Sequence, residues 1–119
     1  MTTPSPLKAL LLNAAAAIRT LETEALDALH IRHDKDTHRA KLLAKCDVLM
    51  DLPLEAAALT AALTPAEKER VDAKLDNLAA RAGQATSIGS VFYMGALLYP
   101  DDYTDGEPNE LEKFCDTIA

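Results

Sequence analysis

The chain has 119 residues, and its 12 basic and 19 acidic side chains leave a formal net charge of −7 at pH 7. This length fits one domain. The sequence holds 22 Ala and 19 Leu but only 4 Ile and 3 Val, a composition that favours helices and excludes an all-β fold. An apolar fraction of 49% also excludes an intrinsically disordered chain.

The net negative charge argues against nucleic acids and anionic membranes as partners, since both bind basic surfaces. The first 20 residues lack the basic start of a signal peptide, and the longest apolar stretch elsewhere, residues 88–99, is too short to cross a bilayer. Cys46 and Cys115, the only cysteines, do not have the spacing of a zinc or redox site. We therefore expect two reduced thiols in a cytoplasmic protein.

The N-terminal part of the chain is expected to form an irregular lead over residues 1–5, followed by a long helix. Ser5 and Pro6 are residue types typical of an N-cap and of a first helical turn. From there, apolar residues recur in steps of four and three on one helical face: Leu7, Leu11, Ala14, Ile18, Leu21, Ala25 and Ala28.

The same spacing continues through three polar positions, Arg32, Lys35 and Arg39, and then becomes apolar again at Leu42, Cys46 and Leu49. No Gly or Pro falls between Leu7 and Leu52. Either one helix runs to residue 51, or a turn near residues 34–37 divides it into a hairpin. We favour the turn, because this short stretch holds three good N-cap residues, Asp34, Asp36 and Thr37.

The middle of the chain contains a further helix start. Pro53 is expected to end or restart a helix, and residues 54–63 form a short, Ala-rich and weakly patterned stretch. In Thr64-Pro65-Ala66-Glu67, an N-cap hydroxyl, a first-turn proline and an N3 glutamate stand in capping-box register. A helix is therefore predicted to begin there.

The C-terminal part of the chain is predicted to break between residues 83 and 90, where Gly83 either closes the preceding helix or lies within a longer one. Residues 100–109 read as an acidic loop and residues 110–118 as a short terminal helix. Together these elements predict a single domain over residues 1–119, an antiparallel helical bundle of four or five helices.

Charge and aromatic residues are distributed unevenly along the chain. Residues 1–50 hold seven basic and six acidic groups, residues 51–90 four and six, and residues 91–119 one and seven. All five aromatic residues also fall in this last range. The segment SIGSVFYMGALLYP is apolar on nearly every face, which indicates either a central core helix or a partner interface.

These observations favour a non-enzymatic helical interaction protein, such as an adaptor or a small chaperone-like module, that binds a protein partner or forms a homodimer. No cofactor is predicted, and no Gly-x-Ser-x-Gly or Gly-rich phosphate loop suggests an enzyme. The predicted contact surface consists of Val91, Phe92, Tyr93, Met94, Leu98 and Tyr99.

A metal-binding bundle is the alternative prediction. All three histidines and one aspartate cluster at His30, His33, Asp34 and His38. In a continuous helix His30, Asp34 and His38 would share one face, and two imidazoles with a carboxylate suit a divalent transition metal. The alternating Arg32, Lys35 and Arg39 favour a solvated charged segment instead.

A second, weaker metal pattern lies in residues 101–112, which partly match a calcium-binding loop. Asp101, Gly106 and Glu112 occupy the first, sixth and twelfth positions of that template. Tyr103 stands at the third position, where an oxygen ligand is expected, and Pro108 stands at the eighth, so the match is partial.

Overall fold

The computed structural model describes residues 4–119, so residues 1–3 of the expected irregular lead lie outside the described part. It contains five helices: α1 (Pro6–His30), α2 (Lys35–Thr60), α3 (Pro65–Ile88), α4 (Val91–Ala96) and α5 (Glu110–Cys115). No strand occurs within residues 4–119. The prediction of an all-α helical bundle is therefore confirmed.

The three long helices begin at the capping residues that the sequence offers. The side chain of Ser5 accepts a hydrogen bond from the backbone N–H of Lys8, and Thr64 accepts one from that of Glu67. Asp34 caps α2 in the same way, through the N–H of Thr37. The turn over residues 31–34 thus divides the long N-terminal pattern into a hairpin.

Pro53 does not interrupt α2, which corrects the prediction that a helix ends or restarts at this residue. A proline inside a helix removes one backbone hydrogen bond and costs about 3 kcal/mol. On either side of it, Leu52 and Ala56 are fully buried in the core. We attribute the unbroken helix to this packing, which offsets the cost of the proline.

The helix break that was predicted between residues 83 and 90 lies at the C-terminal end of this range. Helix α3 passes through Gly83 and ends at Ile88, and Gly89 follows it in the left-handed conformation with φ of 75°. Glycine reaches this conformation at little cost, so Gly89 is the residue that ends α3.

The long helices pack as antiparallel neighbours around the central α2. Lys41 and Lys45 of α2 reach Glu24 and Glu22 of α1, so residue numbers rise on one helix as they fall on the other. α3 packs on α2, and the short α4 packs on both of them. After α4 the chain crosses to α1, where α5 packs.

The predicted apolar face of α1, apart from Leu21 and Ala28, belongs to one continuous core. The residues of that face that are buried in the structure are Leu7, Leu11, Ala14, Ile18, Ala25 and Ala28. Leu21 is half-buried. Within residues 4–119, none of the helices combines the length and the apolar character needed to cross a bilayer.

Candidate functional site

A cleft of about 510 Å³ opens between α1, α2, α4 and the loop that follows α4. Its size is in the range of sites that accept a small molecule or a few side chains. Its apolar wall includes Leu26, Leu42 and Val91. Its polar wall includes Arg19, Glu22, His38, Tyr99 and Asp105.

Behind this cleft lies Lys45, a fully buried lysine that sequence analysis did not single out. Its Nζ lies 2.9 Å from a carboxylate oxygen of Glu22. It also donates to the carbonyl oxygens of Leu97 at 3.0 Å and of Gly95 at 3.3 Å. Burial lowers the pKa of Lys45, and the neighbouring Glu22 acts in the opposite direction. This ammonium group ties α1 and α2 to the end of α4.

Tyr99 completes the buried polar network. Its hydroxyl donates to the second carboxylate oxygen of Glu22 at 2.6 Å. The centre of its ring lies 5.2 Å from the Nζ of Lys45 and 5.6 Å from the guanidinium carbon of Arg19, distances typical of cation–π contacts. Burial and the Glu22 carboxylate both raise the pKa of Tyr99. The phenol therefore remains a hydrogen-bond donor at neutral pH.

Arg19 fastens the loop and α5 to α1. Its guanidinium bonds both carboxylate oxygens of Glu112, at 2.6 and 3.2 Å, and the carbonyl oxygen of Glu107 at 3.1 Å. Glu112 and Asn109 form a capping box at the start of α5. Bonding to Arg19 lowers the pKa of Glu112, so this ion pair is charged at neutral pH. The buried Nδ2 of Asn109 has no hydrogen-bond partner among the described residues.

The start of α4 and the last residue of α3, Ile88, present apolar side chains that are exposed. The exposed fractions are 57% for Ile88, 37% for Val91, 74% for Phe92 and 52% for Tyr93. We call these four residues the α4 surface. The rings of Phe92 and Tyr93 meet edge to face, with centroids 5.6 Å apart. Val91 faces the first cleft, whereas Ile88 and Tyr93 line a second cleft of about 430 Å³ on the other side of α4.

The predicted contact surface is therefore narrower than the sequence suggested. Met94 and Leu98 are fully buried and belong to the core, so neither is available to a partner. Tyr99 is half-buried and bonded to Glu22. An all-round apolar segment conceals this division, because its two faces become distinct only when α4 packs on α2 and α3.

The histidine cluster does not form the predicted metal site. The turn after α1 separates His30 from His38, and Asp34 accepts two hydrogen bonds from Thr37 instead of facing an imidazole. His33 is exposed in that turn with φ of 53°. Within residues 4–119, no three His, Cys, Asp or Glu side chains are placed to hold a metal ion. The i, i+4 and i+8 spacing required a continuous helix, and the capping residue Asp34 ends that continuity.

The calcium-loop pattern is not realised either. Glu112, which the template needs as a bidentate ligand, is bonded to Arg19. The side chain of Glu107 accepts a hydrogen bond from the N–H of Thr104, and the hydroxyl of Tyr103 donates to the carbonyl oxygen of Glu107. These bonds close the loop on itself and leave its other acidic side chains exposed to solvent.

Both cysteines are free thiols buried in the core. Burial raises the pKa of Cys46, and it raises that of Cys115 to about 11. Reactive cysteines have a lowered pKa and a partly exposed sulfur atom. The geometry therefore gives these thiols a packing role.

The burial of Lys45 could have been predicted from its position among the apolar residues of α2. The residue stands three positions after Leu42 and four before Leu49, on the apolar face of α2. Its partner Glu22 and the carbonyl groups of Gly95 and Leu97 are distant in sequence, and only the folded chain brings them together.

Comparison with known protein families, with curated protein sequences and with solved structures gave no match.

Proposed function

We propose that this chain is a non-enzymatic interaction protein that binds a protein partner through the α4 surface, as an adaptor or small chaperone does. The observation that supports this proposal is the run of three exposed apolar side chains, Val91, Phe92 and Tyr93, on a single helix. Aromatic residues are enriched at protein interfaces and supply much of their binding energy. By contrast, Tyr99 and Phe114 contribute to the polar network and to the core.

The position of α4 is fixed before any partner arrives, which favours binding. Ser90 caps its N-terminus, and Arg39 donates to the carbonyl oxygen of Gly89 at 2.8 Å. Lys45 holds the carbonyl groups of Gly95 and Leu97 at the other end. A preorganised surface loses less conformational entropy on binding than a flexible one.

The bonding of the polar groups beside the cleft supports a role without catalysis. Glu22 bonds both Lys45 and Tyr99, and Arg19 is paired with Glu112. We also propose that the protein acts in the cytoplasm, where its two free thiols remain reduced.

A homodimer is the second candidate assembly, but one of the arguments for it no longer holds. The prediction rested on a long Ala-rich face, and that face is buried within the chain, for example at Leu11 and Ile18. A symmetric dimer through the α4 surface would bring two acidic C-terminal segments towards each other. We therefore favour a different protein as the partner, and sedimentation velocity of the purified chain tests this choice.

The proposed contact surface can be tested by photo-crosslinking in cells. We expect that a benzoyl-phenylalanine in place of Phe92 forms a discrete adduct with a protein partner. The same residue in place of Leu54, which is exposed on α2, is the matched control and should form no such adduct.

The adduct partner, once identified by mass spectrometry and purified, should bind the Phe92→Ser variant about tenfold more weakly than the unaltered protein. Identical adducts from positions 92 and 54, or unchanged affinity of the variant, would refute the proposal. Phe92→Ser should change the free energy of unfolding by less than about 0.5 kcal/mol, because the side chain is exposed.

A further inference from the structure

The surroundings of the α4 surface indicate which kind of partner it accepts. Two clefts flank α4: Val91 lines the first and Tyr93 the second, and the intervening residue, Phe92, is exposed. A helix with its side chains is about 10 Å across, so a ligand that enters both clefts must carry apolar groups about that far apart. Two turns of an α-helix span about 10.8 Å, which places such groups at positions i and i+7 of a partner helix.

The charges around the first cleft are compensated with one exception. Within its wall, Glu22 is paired with Lys45 and Arg19 with Glu112. Asp105 also lines this cleft, and it forms no ion pair with any residue of the described part of the chain.

The loop that contains Asp105 extends this negative charge. Asp101 and Asp102 are exposed in the same loop and are likewise without an ion pair among residues 4–119. The first cleft is therefore lined by the apolar Leu26 and Val91 together with Asp105 of this uncompensated acidic loop. A ligand that satisfies both walls is apolar on one side and positively charged beside it.

We propose that the α4 surface binds a basic amphipathic helix of a partner protein. Apolar side chains at i and i+7 enter the two clefts, and those at i+3 or i+4 cover Phe92. Lysine or arginine residues beside the first anchor meet the loop carboxylates at Asp101, Asp102 and Asp105. This proposal deepens the function proposed above and rests on it.

The test uses two labelled peptides of about 16 residues, a length of about 24 Å that spans both clefts. One peptide is built from Leu, Ala and Lys with Leu at i, i+4 and i+7, and the other carries Glu in place of every Lys. Fluorescence anisotropy with the full-length protein at low salt should give about tenfold tighter binding of the Lys peptide. Raising the salt concentration should reduce this preference.

Matched variants locate the charge effect. The triple variant Asp101→Asn, Asp102→Asn, Asp105→Asn should lower the affinity for the Lys peptide by about fivefold and leave the Glu peptide no weaker than before. The control removes the same charge from exposed positions of α2 and α3 that line neither cleft: Asp47→Asn, Asp51→Asn, Asp76→Asn. It should keep the preference for the Lys peptide.

Equal affinity for the two peptides, equal effects of the two triple variants, or no saturable binding of the Lys peptide overturns this inference. If adducts still form at position 92 in any of these cases, the α4 surface remains a contact site and only the basic character of its partner is refuted. If no adduct with a protein partner forms at position 92, the proposed function itself is refuted.

Discussion

At the scale of single residues, the fold depends on a charge placed where apolar side chains are expected. Lys45 is fully buried, and its three ammonium protons face three acceptors, on Glu22, Gly95 and Leu97. Removing one member of a buried ion pair leaves the other without compensation, which costs about 3–5 kcal/mol. Replacing both members by neutral groups costs less, because no isolated charge remains.

We therefore expect Lys45→Met to lower the free energy of unfolding by about 3 kcal/mol. The double variant Glu22→Gln, Lys45→Met should be more stable than Lys45→Met alone, because the unpaired carboxylate is gone. Urea denaturation followed by circular dichroism measures both values. A double variant less stable than the single variant would contradict the assigned pairing.

Lys41 provides the matched control for that experiment. It pairs with Glu24 between the same two helices, but the side chains are partly exposed and the atoms lie 3.5 Å apart. Surface ion pairs of this kind contribute about 0–1 kcal/mol. Lys41→Met should therefore change stability by no more than about 0.5 kcal/mol.

At the scale of helices, Pro53 shows that packing in the core can outweigh the destabilising effect of a proline inside a helix. Pro53→Ala restores a backbone hydrogen-bond donor inside α2, which stabilises the folded chain. It also gives the unfolded chain more conformational freedom, which stabilises the unfolded state by about 0.4–1 kcal/mol. We expect a net gain of about 2 kcal/mol in the free energy of unfolding.

Pro65→Ala is the control for this gain. Pro65 stands in the first turn of α3, where no helical acceptor exists for its missing N–H. Its replacement should therefore lower stability by about 0.4–1 kcal/mol. Thermal unfolding of the two variants should shift in opposite directions, and a shift in the same direction would refute this account of Pro53.

The helices also show which structural features local sequence can predict. The caps at Ser5, Asp34 and Thr64 act through hydrogen bonds to residues three positions away, so a reader of the sequence can predict them. The continuity of α2 through Pro53 depends on side chains from other helices. The contacts of Lys45 with Gly95 at the end of α4 and with Leu97 just after it span about fifty residues, and no local pattern encodes them.

The sequence identifies the segment that contains the candidate site, but not which residues of that segment are exposed. The aromatic residues are concentrated after residue 91, which identified the right segment. Periodicity could not separate the exposed Phe92 from the buried Met94, because nearly every residue of the segment is apolar. The split between them is made by the surfaces of α2 and α3, which only the tertiary fold supplies.

At the scale of the whole molecule, ion pairs between distant parts of the chain hold the C-terminal segment on the bundle. Glu112 binds Arg19 of α1. Glu110 binds Lys74 and Arg81 of α3, with distances of 2.6 and 2.7 Å. The bonds to Arg81 and Lys74 lower the pKa of Glu110 from an ordinary value of 4.5 to about 2. The terminal segment is thus attached to both outer long helices.

This arrangement predicts that acid weakens the attachment. Because the pKa of Glu110 is lower in the folded chain, the unfolded chain binds more protons between pH 4.5 and about 2. The stability contributed by Glu110 is complete above pH 4.5 and is lost as the pH falls towards 2. We expect Glu110→Gln to cost about 1.5–3 kcal/mol at pH 7 and to flatten the decline of stability across that range.

Urea denaturation at a series of pH values measures this effect, with Glu69→Gln as the control. Glu69 is exposed on α3 and forms no ion pair with any residue between 4 and 119. Its variant should follow the pH profile of the unaltered protein. Because Glu110 begins α5 and its N–H bonds the carbonyl oxygen of Leu98, protonation should loosen the C-terminal segment before the three long helices. Amide exchange at pH 3 that is faster in α5 than in α2 would confirm that order, and uniform exchange would contradict it.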